Sequence, residues 1–171
     1  MQRRGLLKLG VAGLVVLGLG GVGVALWRPG VDASGRLTAG GREIFRAVAR
    51  AVLDGDLPEA SPEIDRELDA HLGRLDAVIA ALPEFARNEL SQLLALLGTP
   101  PGRWALVRLD SPWQAAEGAQ LQRGLESMRQ AKSTLRQQAY HALRDLTNAA
   151  YFADPSTWHL LGYPGPTVLD A

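Results

Sequence analysis

A clear apolar stripe runs through Ser61-Pro62-Glu63-Ile64-Asp65-Arg66-Glu67-Leu68-Asp69-Ala70-His71-Leu72-Gly73-Arg74-Leu75-Asp76-Ala77-Val78-Ile79-Ala80-Ala81-Leu82. Ile64, Leu68, Leu72, Leu75, Val78, Ile79 and Leu82 recur every three or four residues, the spacing of one helix face. Ser61 is an N-cap residue. Pro62 sits where a missing N–H costs nothing, and Glu63 complements the positive end of the helix dipole. Pro83 marks a break. A helix with one apolar stripe must bury it against neighbours, so the flanking segments decide the architecture.

Working outward, the same period continues. Upstream, Thr38 is an N-cap for a helix carrying Ile44, Phe45, Val48, Ala51 and Val52, ended near Gly55. A loop with Pro58 follows. Downstream, a third helix runs to Leu97 with Phe85, Leu90, Leu93, Leu94 and Leu97 inward and Gly98 as its C′ residue. Thr99-Pro100-Pro101-Gly102 turns into a short helix with Trp104, Leu106, Val107 and Leu109. Ser111-Pro112 opens another, from Trp113 to about Gln130, weakened by Gly118 and Gly124. The last long helix covers about Ala131 to Ala153. Asp154-Pro155 then starts a short turn holding Trp158 and Leu160, stopped by Gly162. No segment alternates with period two. The expectation is an all-α single bundle of five to seven helices over residues 38–166, with a polar linker at 31–37 and a tail at 167–171.

Composition limits the chemistry. The 171 residues hold 18 basic and 18 acidic side chains. Without Arg3, Arg4 and Lys8 the balance is slightly acidic, which does not suit nucleic acid. There are no cysteines, so disulfides, iron–sulfur clusters, thiolate zinc sites and c-type haem attachment are excluded in this chain. The three histidines, His71, His141 and His159, lack metal-binding spacing. His141 and Asp145 are one turn apart and read as a surface pair. Glu63, Asp65, Glu67 and Asp69 read as a solvated face. Lys132, Ser133 and Thr134 have no partnered histidine. The expectation is no catalytic, cofactor or metal site in this chain.

The first thirty residues are of a different kind. Gln2-Arg3-Arg4-Gly5-Leu6-Leu7-Lys8 precedes an uncharged run from Leu9 to Leu26, diluted by six glycines, and Trp27-Arg28-Pro29-Gly30 closes it. A charged start, an apolar middle and a polar exit make an export signal. Arg3, Arg4, Leu6, Leu7 and Lys8 resemble the twin-arginine signal, with Gln2 in place of its hydroxyl residue and Leu6 in place of Phe. Such signals export folded proteins to the periplasm. Small residues precede two candidate cuts, after Gly23-Val24-Ala25 and after Val31-Asp32-Ala33. An uncleaved anchor stays open, since 18 residues of helix span about 27 Å.

The C-terminal third carries the remaining signal. Leu135 to Leu143, then Leu146-Thr147-Asn148-Ala149-Ala150-Tyr151-Phe152-Ala153-Asp154-Pro155, then Trp158 and Gly162-Tyr163-Pro164-Gly165-Pro166 are dense in aromatics, Gly and Pro. With the twin-arginine start, these residues resemble the gluconate 2-dehydrogenase subunit 3 family, the small subunits of bacterial FAD-dependent sugar and alcohol dehydrogenases. The resemblance implies a non-catalytic subunit that binds a folded large flavoprotein of the glucose–methanol–choline (GMC) type and carries it through the twin-arginine translocase. FAD would belong to that partner. A cytochrome c subunit often completes such complexes. Some relatives carry cysteines; this chain does not. Aromatics and prolines suit an interface, so Tyr140, Tyr151, Trp158, Tyr163, Pro164, Gly165 and Pro166 are the candidate partner surface. The alternative is a membrane-tethered helical adaptor without a redox partner.

Overall fold

The computed structural model describes residues 28–58, 61–163 and 165. Arg3, Arg4, Leu6, Leu7 and Lys8, the cut after Ala25, Pro164, Pro166 and the tail 167–171 lie outside these residues. The fold is all-α. Its helices are α1 (Ala39–Val52), α2 (Ser61–Ala80), α3 (Glu84–Gly98), α4 (Pro100–Val107), α5 (Gly118–Arg129) and α6 (Thr134–Tyr151), with 3₁₀ turns at Trp113–Ala115 and Pro155–Leu161. Among the described residues no helix is long and apolar enough to cross a membrane.

The hub is α1, which touches α2, α3, α5 and α6. Its sequence explains why. Ile44, Phe45, Ala47, Val48, Ala49 and Ala51 are all buried, covering more than half of the circumference. Small residues let neighbours approach, and each fully buried large side chain contributes about 1.5–3 kcal/mol. The wet side carries Arg42 and Arg46, which reach across to α2: Arg42 pairs with Asp76, and Arg46 with Asp65 and Asp69. The acidic run thus faces arginines as well as water. The α2 stripe packs Leu72, Leu75 and Ile79 into the main core, while Leu68 joins a smaller cluster with Ala49, Leu53 and Tyr151.

Several boundaries differ from the sequence expectation. Gly98 is the last residue of α3 rather than its C′ residue, and Thr99 serves two helices at once. It ends α3, and its hydroxyl accepts from Gly102 N (3.1 Å) to cap α4. The expected helix from Trp113 to Gln130 is split. Buried Trp113 donates its indole N–H to Leu97 O (2.9 Å), and extended Ala116 and Glu117 separate that turn from α5. Gly124 lies against Val107, where a Cβ would approach Val107 Cγ1 to 2.8 Å, so it serves close packing of α5 on α4. Phe85, expected inward, is 59% exposed in the first turn of α3.

The largest correction concerns residues 31–37. They are not a linker. Val31 and Leu37 are 6% and 5% exposed, sit in the main core, and form an isolated antiparallel bridge. Between them Asp32 closes a tight turn: its carboxylate accepts from Ser34 N, Ser34 Oγ and Arg36 N at 2.8, 2.6 and 3.0 Å. Those bonds, that of the Ser34 hydroxyl most, hold its carboxyl below the usual range. Polar composition misleads here because the polar side chains serve the turn while two apolar ones point inward.

Candidate partner surface

The C-terminal surface starts from α6. Phe152 N donates to Asn148 O (2.9 Å), ending the helix. Asp154 then caps the 3₁₀ turn, accepting from Ser156 N at 2.9 Å, with Pro155 in the first position. That amide contact, followed by further bonding to Ser156 and the Arg74 guanidinium, lowers the Asp154 pKa. Buried Thr157 donates to Asp154 O (2.8 Å). Trp158 folds back over the turn and donates its indole N–H to Phe152 O at 2.9 Å.

Gly162 takes the left-handed conformation, φ +68°, that an L side chain resists. It reverses the chain, so that Gly162 N reaches His159 O (3.0 Å) and Tyr163 N reaches Trp158 O (3.1 Å). The Tyr163 ring then lies 5.4 Å from the Trp158 ring, and a Cβ at Gly165 would be 3.9 Å from that indole. The structure therefore brings Trp158, Tyr163 and Gly165 together.

This turn is riveted to α2. Arg74 donates through Nε to Ala150 O (3.2 Å) and through Nη1 to Asp154 Oδ2 (3.1 Å), and it also pairs with Glu67. The outer face carries Leu160, Leu161 and Tyr163, which are 43%, 60% and 48% exposed. The sequence places Leu160 in the turn, and the structure adds that both it and Leu161 face solvent.

Two candidates lie elsewhere. Tyr151 is core, 3% exposed, with its hydroxyl donating to Asp56 O at 2.8 Å. Burial raises its pKa, and it presents nothing to a partner in this conformation. Tyr140 lies three turns earlier on α6, about 16 Å along the axis. It is half-buried against the main core, with the His141 ring 5.3 Å away.

The histidines are dispersed. Exposed Asp145 pairs with Arg144 (3.1 Å) rather than with His141. His159 is exposed, its Nδ1 2.6 Å from Ser156 O. His71 is fully buried, with its ring 6.1 Å from that of Tyr151 and no hydrogen-bond partner on either nitrogen. Burial, and next the Arg74 charge, push its pKa down to about 4. Among the described residues no three His, Asp or Glu side chains converge as a metal site would require.

A cleft of about 570 Å³ opens at the start of α1 between Arg28, Glu43 and Arg103. Arg103 is itself buried and donates to Leu109 O and Asp110 O (3.3 and 3.4 Å), so it bonds the chain that follows α4. The chain matches no family model, no curated protein and no solved structure.

Proposed function

We propose that this chain is the non-catalytic small subunit of a periplasmic, flavin-dependent GMC-type sugar or alcohol dehydrogenase. In this role it binds the folded, FAD-loaded large subunit, stabilises it and supplies its twin-arginine address through Arg3 and Arg4. The observation that carries the proposal is the exposed apolar rim of Leu160, Leu161 and Tyr163 on a turn held rigidly by Trp158 and Arg74. Apolar side chains clustered on an ordered surface suit a protein partner. Rigidity reduces the ordering cost of binding. The signal-like start supports folded export, and the resemblance of both ends to the small-subunit family supports the kind of cargo.

The test is co-expression with a GMC-type flavoprotein from the same genome, followed by affinity capture and size exclusion. The proposal expects one peak holding both chains and flavin absorbance, lost in a Leu160→Glu, Leu161→Glu double variant. Recovery of this chain alone, with the flavoprotein eluting separately, contradicts it.

A further inference from the structure

The segment leading into α1 is a clasp threaded between two helices. Gly30 N donates to Ser91 O (3.3 Å) and Val31 N to Ser91 Oγ (3.1 Å); that hydroxyl in turn donates to Val31 O (3.2 Å). Both backbone groups of Val31 are thereby engaged by α3. Thr38 binds the same strand from α1, with N donating to Gly30 O (3.0 Å) and Oγ1 to Pro29 O (2.9 Å). Leu37 N donates to Asp76 Oδ1 on α2 (2.9 Å). The approach leaves no room for side chains. A Cβ on Gly30 would lie 2.1 Å from Leu94 Cβ, and one on Gly41 would lie 2.4 Å from Gly30 O.

One of the two sequence candidates for signal processing, Val31-Asp32-Ala33, falls inside this clasp. A processing protease reads its substrate as an extended strand, binding its backbone and alternate side chains. Here the Val31 side chain is buried and its backbone bonded. Asp32 to Gly35 forms a closed turn, with Gly35 N on Asp32 O at 3.0 Å and Gly35 at φ +81°. Ala33 is exposed at the tip, but its neighbours on both sides are committed to the fold. Cutting there would also release Gly30 and Val31, leaving their slots between α1 and α3 empty.

We propose that the clasp shields the bond after Ala33, so that the exported chain keeps Gly30 to Leu37 as part of its folded domain. Any processing then falls upstream of Gly30. This rests on the export proposal, because only a chain folded before it meets the peptidase carries a closed clasp.

The test compares the full chain with Gly41→Ala and Gly30→Ala, which push the clasp outward without altering residues 31 to 33. Intact-mass analysis of periplasmic protein should find no N-terminus at Ser34 in the wild type and should find one in the variants. In parallel, proteinase K on purified full chain should cut within residues 31–37 roughly tenfold faster in Gly41→Ala than in wild type. This second arm does not need export or a partner. A wild-type Ser34 N-terminus, or equal cutting rates in both proteins, overturns the proposal. If the chain stays in the cytoplasm, the export proposal fails, and the protease comparison alone decides the clasp.

Discussion

At the scale of single residues, His71 is the group whose chemistry is most altered by the fold. It is enclosed with both nitrogens unbonded, and its pKa falls to about 4. Below the ordinary value of 6.5 the unfolded chain binds a proton that the folded chain does not. Stability is therefore full above about pH 6.5 and is lost as pH falls toward 4, by roughly 3 kcal/mol. The Tyr151 ring lies 6.1 Å from the imidazole, and the Arg74 charge opposes its protonation. Urea unfolding at pH 7, 5.5 and 4.5 should show the decline. His71→Leu, which removes an unsatisfied polar group at similar volume, should flatten it. Tyr151→Phe should cost about 1 kcal/mol through the lost bond to Asp56 O, leaving flavoprotein capture unchanged. Loss of capture would return Tyr151 to the partner surface. Neither burial was legible beforehand. A histidine or tyrosine on an amphipathic helix has the same spacing whether it faces a core or a partner.

At the scale of elements, the sequence was most informative where one rule acted alone. Thr38, Thr99 and Asp154 start their elements as their side chains dictate, and the α2 stripe points inward as its period requires. It failed where local composition and tertiary packing disagree. Asp32, Ser34 and Gly35 look like linker because they are turn residues, yet Val31 and Leu37 are core. Phe85 fits an apolar period, but the first turn of α3 follows directly after Pro83 and leaves the ring in solvent. The C-terminal turn shows both outcomes. Asp154-Pro155 and Gly162 announced its ends, whereas the folding of Tyr163 onto Trp158 depends on a chain reversal that spacing does not encode. Trp158→Ala should open this reversal. Amide exchange at Gly162 and Tyr163 should rise toward the unprotected rate, while amides of α1 and α6 keep their protection. Deleting the residues after Leu161 should likewise weaken flavoprotein binding with little change in helical circular dichroism. A broad loss of helix would show that the tail seals the domain's own core instead.

At the scale of the whole molecule, the proposal joins two ends of the chain to two tasks. The clasp fixes the N-terminal segment against α1 and α3, and the C-terminal turn, riveted to α2 by Arg74, offers the apolar rim. The helices α1 to α6 lie between them. All-α architecture was readable from period alone. The pairing of tasks was not, because it depends on which segments the bundle holds rigid. The most direct measurement is the periplasmic fraction of the co-expressed flavoprotein, followed by its flavin and dehydrogenase activity after cell fractionation. The account predicts that the flavoprotein reaches the periplasm with this chain, and stays in the cytoplasm when the chain is omitted or carries Arg3→Lys and Arg4→Lys together. Equal periplasmic flavoprotein in all three cases would contradict it.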